Sequence, residues 1–257
     1  MPEPKYRQIA DELRTQITRG DIPPGGKLPT EAELGKEHGV SRGTVRLALG
    51  ALTNEGLIEG TAGRGTFVRE HVVLTYYASR SEQVGGQPAG ESDSYMTDVK
   101  SAGREGSQDF ELRMERASSG VAERLRVEEG DTVVLRRLLR YLDGKPWSIQ
   151  ATYYPMRVAQ GTPIMEPQDI KEGTTRWLAN NGLEQVGFRD EMTTRMPSPE
   201  EVSALRMGTG VPVLAHIRTG YTTTEPVRVT ETIFPGDRHR VLYELGDLSA
   251  LEGQARP

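Results

Sequence analysis

The sequence predicts an α+β protein of two domains. Three observations carry that prediction. Three amphipathic segments near the start each open and close on helix signals. Two short β-prone runs follow, either side of a glycine-rich tip, Ala62-Gly63-Arg64-Gly65. The rest alternates β-prone runs, some joined by hairpin turns, with short helical segments. A length of 257 residues suffices for two ordinary domains, and a hydrophobic content of 35% suits two modest cores better than one deep core.

The first segment, Pro4 to Arg19, places Tyr6, Ile9, Ala10, Leu13 and Ile17 on one helical face. Gly20 ends it, and Pro23-Pro24 forbid its continuation. Thr30 and Glu33 then form the signature of a capping box opening a short helix that Gly39 closes. Ser41 caps a third helix to about Glu55, with Val45, Ala48, Leu49 and Leu52 as its buried stripe. Leu57-Ile58-Glu59-Gly60 and Thr66-Phe67-Val68 are expected as two strands of a ribbon.

From Tyr77 to Asp109 glycine, serine and charge dominate, and the expectation is a linker with extended structure around Tyr95-Met96-Thr97. Val121 to Val127 predicts a helix. Thr132 to Leu142 and Trp147 to Tyr154 predict strands about an Asp143-Gly144 turn. Thr174 to Asn180 and a segment capped by Ser198 predict helices, and Val213–Tyr221 with Val227–Phe234 a second hairpin. The boundaries so read are 1–72, a linker over 73–93, and a second domain over 94–250.

Several functional classes are disfavoured. There is no cysteine, hence no disulfide framework or thiolate metal site. The four histidines, His38, His71, His216 and His239, do not stand at metal-ligand spacing, and no metal or cofactor is expected. No nucleophile elbow, phosphate loop or zinc motif appears, so no catalytic residue is assigned. The start carries no signal peptide and no apolar run could span a bilayer, so a cytoplasmic protein with no membrane partner is expected.

A net charge of -5 argues against nonspecific coating of nucleic acid, but phosphate affinity depends on where the cations sit. Three helices and a ribbon make a winged helix-turn-helix, whose third helix fits the major groove with its N-terminal residues at base edges. Here that end reads Ser41-Arg42-Gly43-Thr44-Val45-Arg46. Val45 faces inward, leaving Arg42, Thr44 and Arg46 to face out, while Gly43 lets the backbone come close. Arg64, beside Gly65 at the ribbon tip, can enter a minor groove. Lys36 (or Lys27) and Thr30 are placed near the DNA backbone. The plain alternative is that these are solvated charges and simple caps.

Tyr6-Arg7-Gln8-Ile9-Ala10, Pro24 to Leu34, Gly39 to Arg46, Glu55-Gly56-Leu57-Ile58 and Gly63 to Val68, in that order, resemble the GntR family of bacterial transcriptional regulators. The resemblance implies operator contacts by the residues matching Arg42, Thr44, Arg46 and the wing glycines. Ala32 departs from it, standing where many members carry an arginine. The remainder resembles the UTRA effector-binding domain of the HutC subfamily, through Val127 to Asp131, Arg140 to Pro146, Tyr153-Tyr154-Pro155, Pro212-Val213-Leu214, Arg218 and Pro235 to Arg238. That implies a chorismate-lyase-like fold, an antiparallel sheet flanked by helices around a small-molecule pocket, and a homodimer on double-stranded palindromic operator DNA.

Arg140, Gln150, Tyr153, Arg218, Arg228 and Phe234 are the effector-binding candidates. Arg140 matches a pocket arginine of the phosphosugar-sensing members. Leu138 replaces a second arginine, Gln150 a frequent glutamate, and Arg228 stands near another usual acid. A carboxylate gripped by Arg140 and Arg218 is thus as open as a phosphosugar. Against this, strand arginines often face solvent, and Tyr153 and Phe234 are of the type that fills cores, as do Trp147 and Trp177. The implied function is a ligand-responsive regulator, a repressor by preference, that an effector releases or retunes. The alternatives are a constitutive DNA binder with a vestigial pocket, or a lyase-like enzyme.

Overall fold

Residues 3–61, 63–69, 73–79, 94–168, 170 and 173–245 are described by a computed structural model of the chain. They form two units. The first comprises the N-terminal stretch up to Val73 together with Met196–Val213 and Gly236–Arg238; the second comprises the remainder.

In the first unit α1 (Lys5–Arg19), α2 (Glu31–Glu37) and α3 (Arg42–Asn54) precede a ribbon of β1 (Ile58–Thr61) and β2 (Gly65–Val68). Each begins for a local reason. The Thr30 amide donates to the Glu33 carboxylate at 2.7 Å and the Glu33 amide donates back to the Thr30 hydroxyl at 3.3 Å, closing the predicted capping box. The Ser41 hydroxyl accepts from the Thr44 amide at 3.2 Å and caps α3. Ile9, Ala10 and Leu13 of α1, Leu34 of α2, and Val45, Ala48, Leu49 and Leu52 of α3 share one core with Ile58 and Val68 of the ribbon. β1 and β2 pair antiparallel from Ile58↔Val68 to Thr61↔Gly65. Ala62, in the predicted tip, and His71 lie outside the described residues.

Unit one is completed from far along the chain. Met196–Val213 contains the last helix among the described residues, over Pro199–Leu205. Beyond it the backbone passes so near α3 that a Cβ on Gly208 would lie 2.4 Å from the Thr53 carbonyl oxygen, and one on Gly210 2.4 Å from that of Asn54. The Thr209 hydroxyl donates to the Asn54 side chain at 3.1 Å, and Arg69 pairs with Asp237.

Unit two centres on a six-stranded sheet. In chain order, β3 (Leu74–Tyr77), α4 (Ser94–Ser101), β4 (Gly106–Arg116), α5 (Ser119–Leu125), β5 (Thr132–Leu142), β6 (Lys145–Pro155), α6 (Met156–Ala159), α7 (Thr174–Asn180), β7 (Gly187–Arg195), β8 (Val213–Tyr221), β9 (Pro226–Pro235) and β10 (His239–Leu242) are its elements, α8 being the helix already placed in unit one. The large sheet has the order β4-β5-β6-β9-β8-β7, and β3 pairs in parallel with β10 as a separate two-stranded sheet. β4, β5, β6 and β9 pair antiparallel. The β5–β6 turn takes φ of 48° at Asp143 and 72° at Gly144, the left-handed pair that a two-residue Asp-Gly turn requires.

Alternation along the strands gives this sheet two different faces. On one, Val133, Tyr153 and Val229 pack against Ala122 and Leu125 of α5. On the other, Val134 and Tyr154 pack against Val158 and Ala159 of α6, Ile164 between the helices, and Leu178 of α7. An antiparallel sheet flanked by helices is thus the architecture expected from the sequence.

Two segments differ from expectation. Tyr95-Met96-Thr97, expected as extended, lies in α4, where Tyr95 and Val99, one turn apart, are both buried. Burial of that i, i+4 pair outweighs the β-propensity of tyrosine. Within the expected linker, Leu74–Tyr77 is a strand held by a partner more than 160 residues away, His239↔Leu74 to Leu242↔Tyr77. Residues 80–93 of that linker lie outside the described residues.

Candidate functional site

In the first unit α3 presents the predicted residues at its N-terminal end. Arg42 is exposed. Arg46, one turn on, keeps 71% of its side chain exposed and donates from Nε to both Glu31 carboxylate oxygens at 3.0 Å. The Glu31 hydrogen bond holds the Arg46 guanidinium above its ordinary pKa. The pair is solvent-screened, so the arginine can exchange this partner for another anion at little cost. Thr44 is half-buried, with its hydroxyl 3.1 Å from that of Ser41. Ser41 and Thr30 thus serve first as helix caps. Lys36 is exposed on α2.

The ribbon tip turns on Gly63, φ 72°, and Gly65, φ 118°, where a Cβ would meet Lys27 Cε at 2.9 Å. A larger residue there would displace that lysine. Arg64 is exposed, its guanidinium carbon 6.0 Å from the Phe67 ring centroid.

In the second unit the face bearing Tyr154 carries an unusual load of buried polar side chains. Register places Arg140 beside Gln108 and Ser148, Leu138 beside Gln150, and Gln150 beside Thr232. Arg136, Thr152 and Thr230 form the adjoining row. Ser148, Thr152, Thr230 and Thr232 are all buried, and the Thr152 and Thr230 hydroxyls are 3.2 Å apart. Arg140 is 6% exposed, with its guanidinium carbon 4.6 Å from the Tyr95 ring centroid. Gln108 Oε1 is buried with no hydrogen-bond partner among the described residues. Such an acceptor is costly unless something supplies a donor.

Arg218 and Arg228, on β8 and β9, are also buried. Arg218 meets Asp190 of β7 with two hydrogen bonds of 2.7 Å and donates a third to the Ala78 carbonyl at 2.7 Å. His216 Nε2 lies 3.1 Å from the same carboxylate, and the Tyr243 hydroxyl donates to it. Burial alone would raise the Asp190 carboxyl, but the hydrogen bonds from Arg218, His216 and Tyr243 hold it well below the usual range. Burial and the same carboxylate push the Tyr243 hydroxyl up. Arg228 donates to Gln185 at 3.0 Å. Phe234 stacks between Tyr76 and His239 at centroid distances of 5.1 and 4.9 Å.

Tyr153 is not brought to this face. One residue from Tyr154, it points the other way into the α5 core, where burial raises its hydroxyl. The two arginines read alternatively as solvent-facing are both buried. Reasoning from sequence did not single out Ser148, Thr152 or Thr230, although Ser148 and Thr152 stand two residues either side of Gln150 and the strand period would have selected them. It also missed Asp190, His216 and Tyr243, which meet only through folding. Glu12, Glu37 and His38 bring one ligand atom each within 4.8 Å of one another. Two of the three are exposed, and solvated carboxylates beside an imidazole assign no ion by themselves.

A winged helix with an arginine-bearing third helix, coupled in one chain to a sheet domain with a buried polar face, defines the class as helix-turn-helix transcriptional regulators. The gntR family of bacterial regulatory proteins matches over residues 5–68 and the UTRA domain over residues 101–240, and the chain belongs to that family, in its UTRA-bearing branch. It is 31% identical over 242 residues to an uncharacterized HTH-type transcriptional regulator of Rhizobium meliloti, covering 93% of this chain and 94% of that one. It is 29% identical over 245 residues to the histidine utilization repressor of Pseudomonas putida, covering 93% and 91%. The crystal structure of a GntR-family transcriptional regulator superposes with a TM-score of 0.60 at 28% identity, covering 95% of this chain and 98% of that one. PhnF from Mycobacterium smegmatis, at 20% identity and a TM-score of 0.55, shares the fold over 93% of this chain and 99% of its own. No helix among the described residues is long and apolar enough to cross a membrane.

Proposed function

We propose that the protein is a cytoplasmic repressor that binds a palindromic operator as a homodimer and is released by a small-molecule effector held on the polar sheet face. One observation carries the DNA-binding half. The guanidinium groups of Arg42, Arg46 and Arg64 all stand in solvent, on the third helix and the ribbon tip, and none is spent inside the core. Arg42 and Arg46 lie one turn apart and reach the same stretch of major groove. Arg64 enters the minor groove beside it. Thr44, Ser41, Lys36, Thr30 and the Gly65 amide serve the phosphates.

The effector reading is supported by the row Gln108, Arg140, Ser148 and its neighbours Gln150, Thr152, Thr230 and Thr232, of which all but the two glutamines are buried, and where Gln108 Oε1 has no hydrogen-bond partner among the described residues. Arg228 and Phe234 border it. Arg140, buried on that face beside Gln108 and Ser148, is the cation placed for an anionic group of the effector, and Arg218, bound to Asp190, holds β7 and β8 in place.

The test is binding of the full chain to duplexes selected from a random-sequence library. Specific binding should weaken steeply with salt, and Arg42→Ala or Arg46→Ala should each weaken it roughly ten- to a hundredfold. Unchanged affinity in both variants would overturn the docking.

A further inference from the structure

The outward ridge of α3 sets an exposed leucine beside two glycines. At 100° per residue, Gly43, Leu47 and Gly50 fall within an arc of about 60°, opposite the buried stripe of Val45, Ala48, Leu49 and Leu52. Leu47 is 62% exposed, a large apolar side chain in open solvent between Arg46 and two glycines. The glycines are not explained by the fold. Neither takes a positive φ. A Cβ on Gly50 would meet nothing within 4 Å, and one on Gly43 only the Ser41 hydroxyl, at 3.6 Å. Each weakens the helix relative to alanine, with no close approach among the described residues to account for it. The C-terminal end of the same helix is different, because there Gly208 and Gly210 press on Thr53 and Asn54. The open part of the ridge is therefore the part that begins at the cationic end.

We propose that Leu47 is a specificity-determining residue that reads thymine. Its isobutyl group packs on the C5-methyl of a thymine in the major groove, and Gly43 and Gly50 keep the helix low enough for that contact. The inference rests on the DNA-binding reading above. The occupant follows from the chemistry. Arg42 and Arg46, both on the flank of the ridge beside Gly43 and Leu47, bring it against a polyanion. The major groove of a duplex offers one apolar group for a leucine to cover, the thymine methyl. An exposed leucine alone would mean little; the two glycines beside it, unneeded by the fold, are the independent observation.

The experiment uses the full chain and its selected duplex, with each thymine in turn replaced by uracil. Uracil removes the methyl and keeps every hydrogen-bonding group. The wild-type protein should lose about fourfold in affinity at one thymine per half-site, the worth of one buried methyl. Leu47→Ala should bind more weakly overall and show no loss at that position, with unfolding unchanged because the side chain is exposed. Gly50→Ala should unfold at higher temperature yet bind more weakly. If no position is sensitive to uracil, or if Leu47→Ala keeps the wild-type sensitivity, this inference fails while the DNA-binding reading stands. If the wild-type chain selects no duplex at all, both fail.

Discussion

At Asp190 burial and hydrogen bonding pull the carboxyl in opposite directions, and hydrogen bonding wins. Its side chain is 10% exposed and its partner Arg218 4%, so each charge depends on the other for the solvation it has lost. Asp190→Asn preserves the shape and removes the charge, leaving a guanidinium buried without its counterion. We expect this to destabilise the second unit by about 3 kcal/mol or more, read from denaturant melts of the full chain. The pH dependence has a fixed sign. A carboxyl held low in the folded state contributes its full stabilisation above its unfolded value, near pH 4, and loses it as the pH falls below that. The wild-type melt should therefore weaken into the acid range more steeply than that of Asp190→Asn. Equal acid sensitivity of the two would show that the carboxylate does not carry this linkage. The exposed Arg46–Glu31 pair makes the opposite case. Water screens it, so its loss should register in DNA affinity and hardly at all in stability.

Among the elements, those fixed by neighbouring residues are the ones visible in the sequence. The capping box that starts α2 lies within four residues, Thr30 to Glu33, and it forms as written. Thr30→Ala should cost about 1 kcal/mol in thermal or denaturant unfolding. If Thr30 also touches phosphate, affinity will fall further than that loss explains, and a duplex titration under conditions where both proteins are fully folded separates the two effects. The hairpins at Asp143-Gly144 and between β8 and β9 are legible for the same local reason. β7 is not, because Asp190 sits between Phe188 and Met192 on one row of the strand and interrupts the apolar alternation, and both of those side chains stay exposed. A side chain placed there for the site breaks the pattern that would have announced the strand. β4 does alternate, with Phe110, Leu112 and Met114 against Asp109, Glu111 and Arg113. The polar run before it obscures its start, and Met114 remains 60% exposed on this edge strand. β3 depends on β10, and nothing near Leu74 in the chain hints at that partner. Of the candidate site, the α3 arginines follow from the helix-turn-helix motif and Arg140 and Gln150 from the family resemblance, Ser148, Thr152 and Thr230 were missed, and the Asp190 cluster joins three separate parts of the chain.

For the molecule as a whole, two units with separate cores predict a specific response to ligand. A metabolite that binds the polar face of the sheet stabilises the folded second unit by mass action, by about 2.7 kcal/mol at a hundred times its dissociation constant. A thermal-shift screen of small anionic metabolites against the full chain should find a compound that raises the transition, and Arg140→Ala should abolish the rise. A screen in which Arg140→Ala responds as the wild type does would remove Arg140 from the effector site.

The first unit also has an unusual birth order. Its helices leave the ribosome before the loop that rests on Asn54 and the aspartate that pairs with Arg69, which follow those partners by 155 and 168 positions. The helices of the first unit thus wait on residues far along the chain for part of their packing. A chain that stops short of Asp237 lacks the acid that pairs with Arg69, so its first unit should unfold more readily than that of the intact chain.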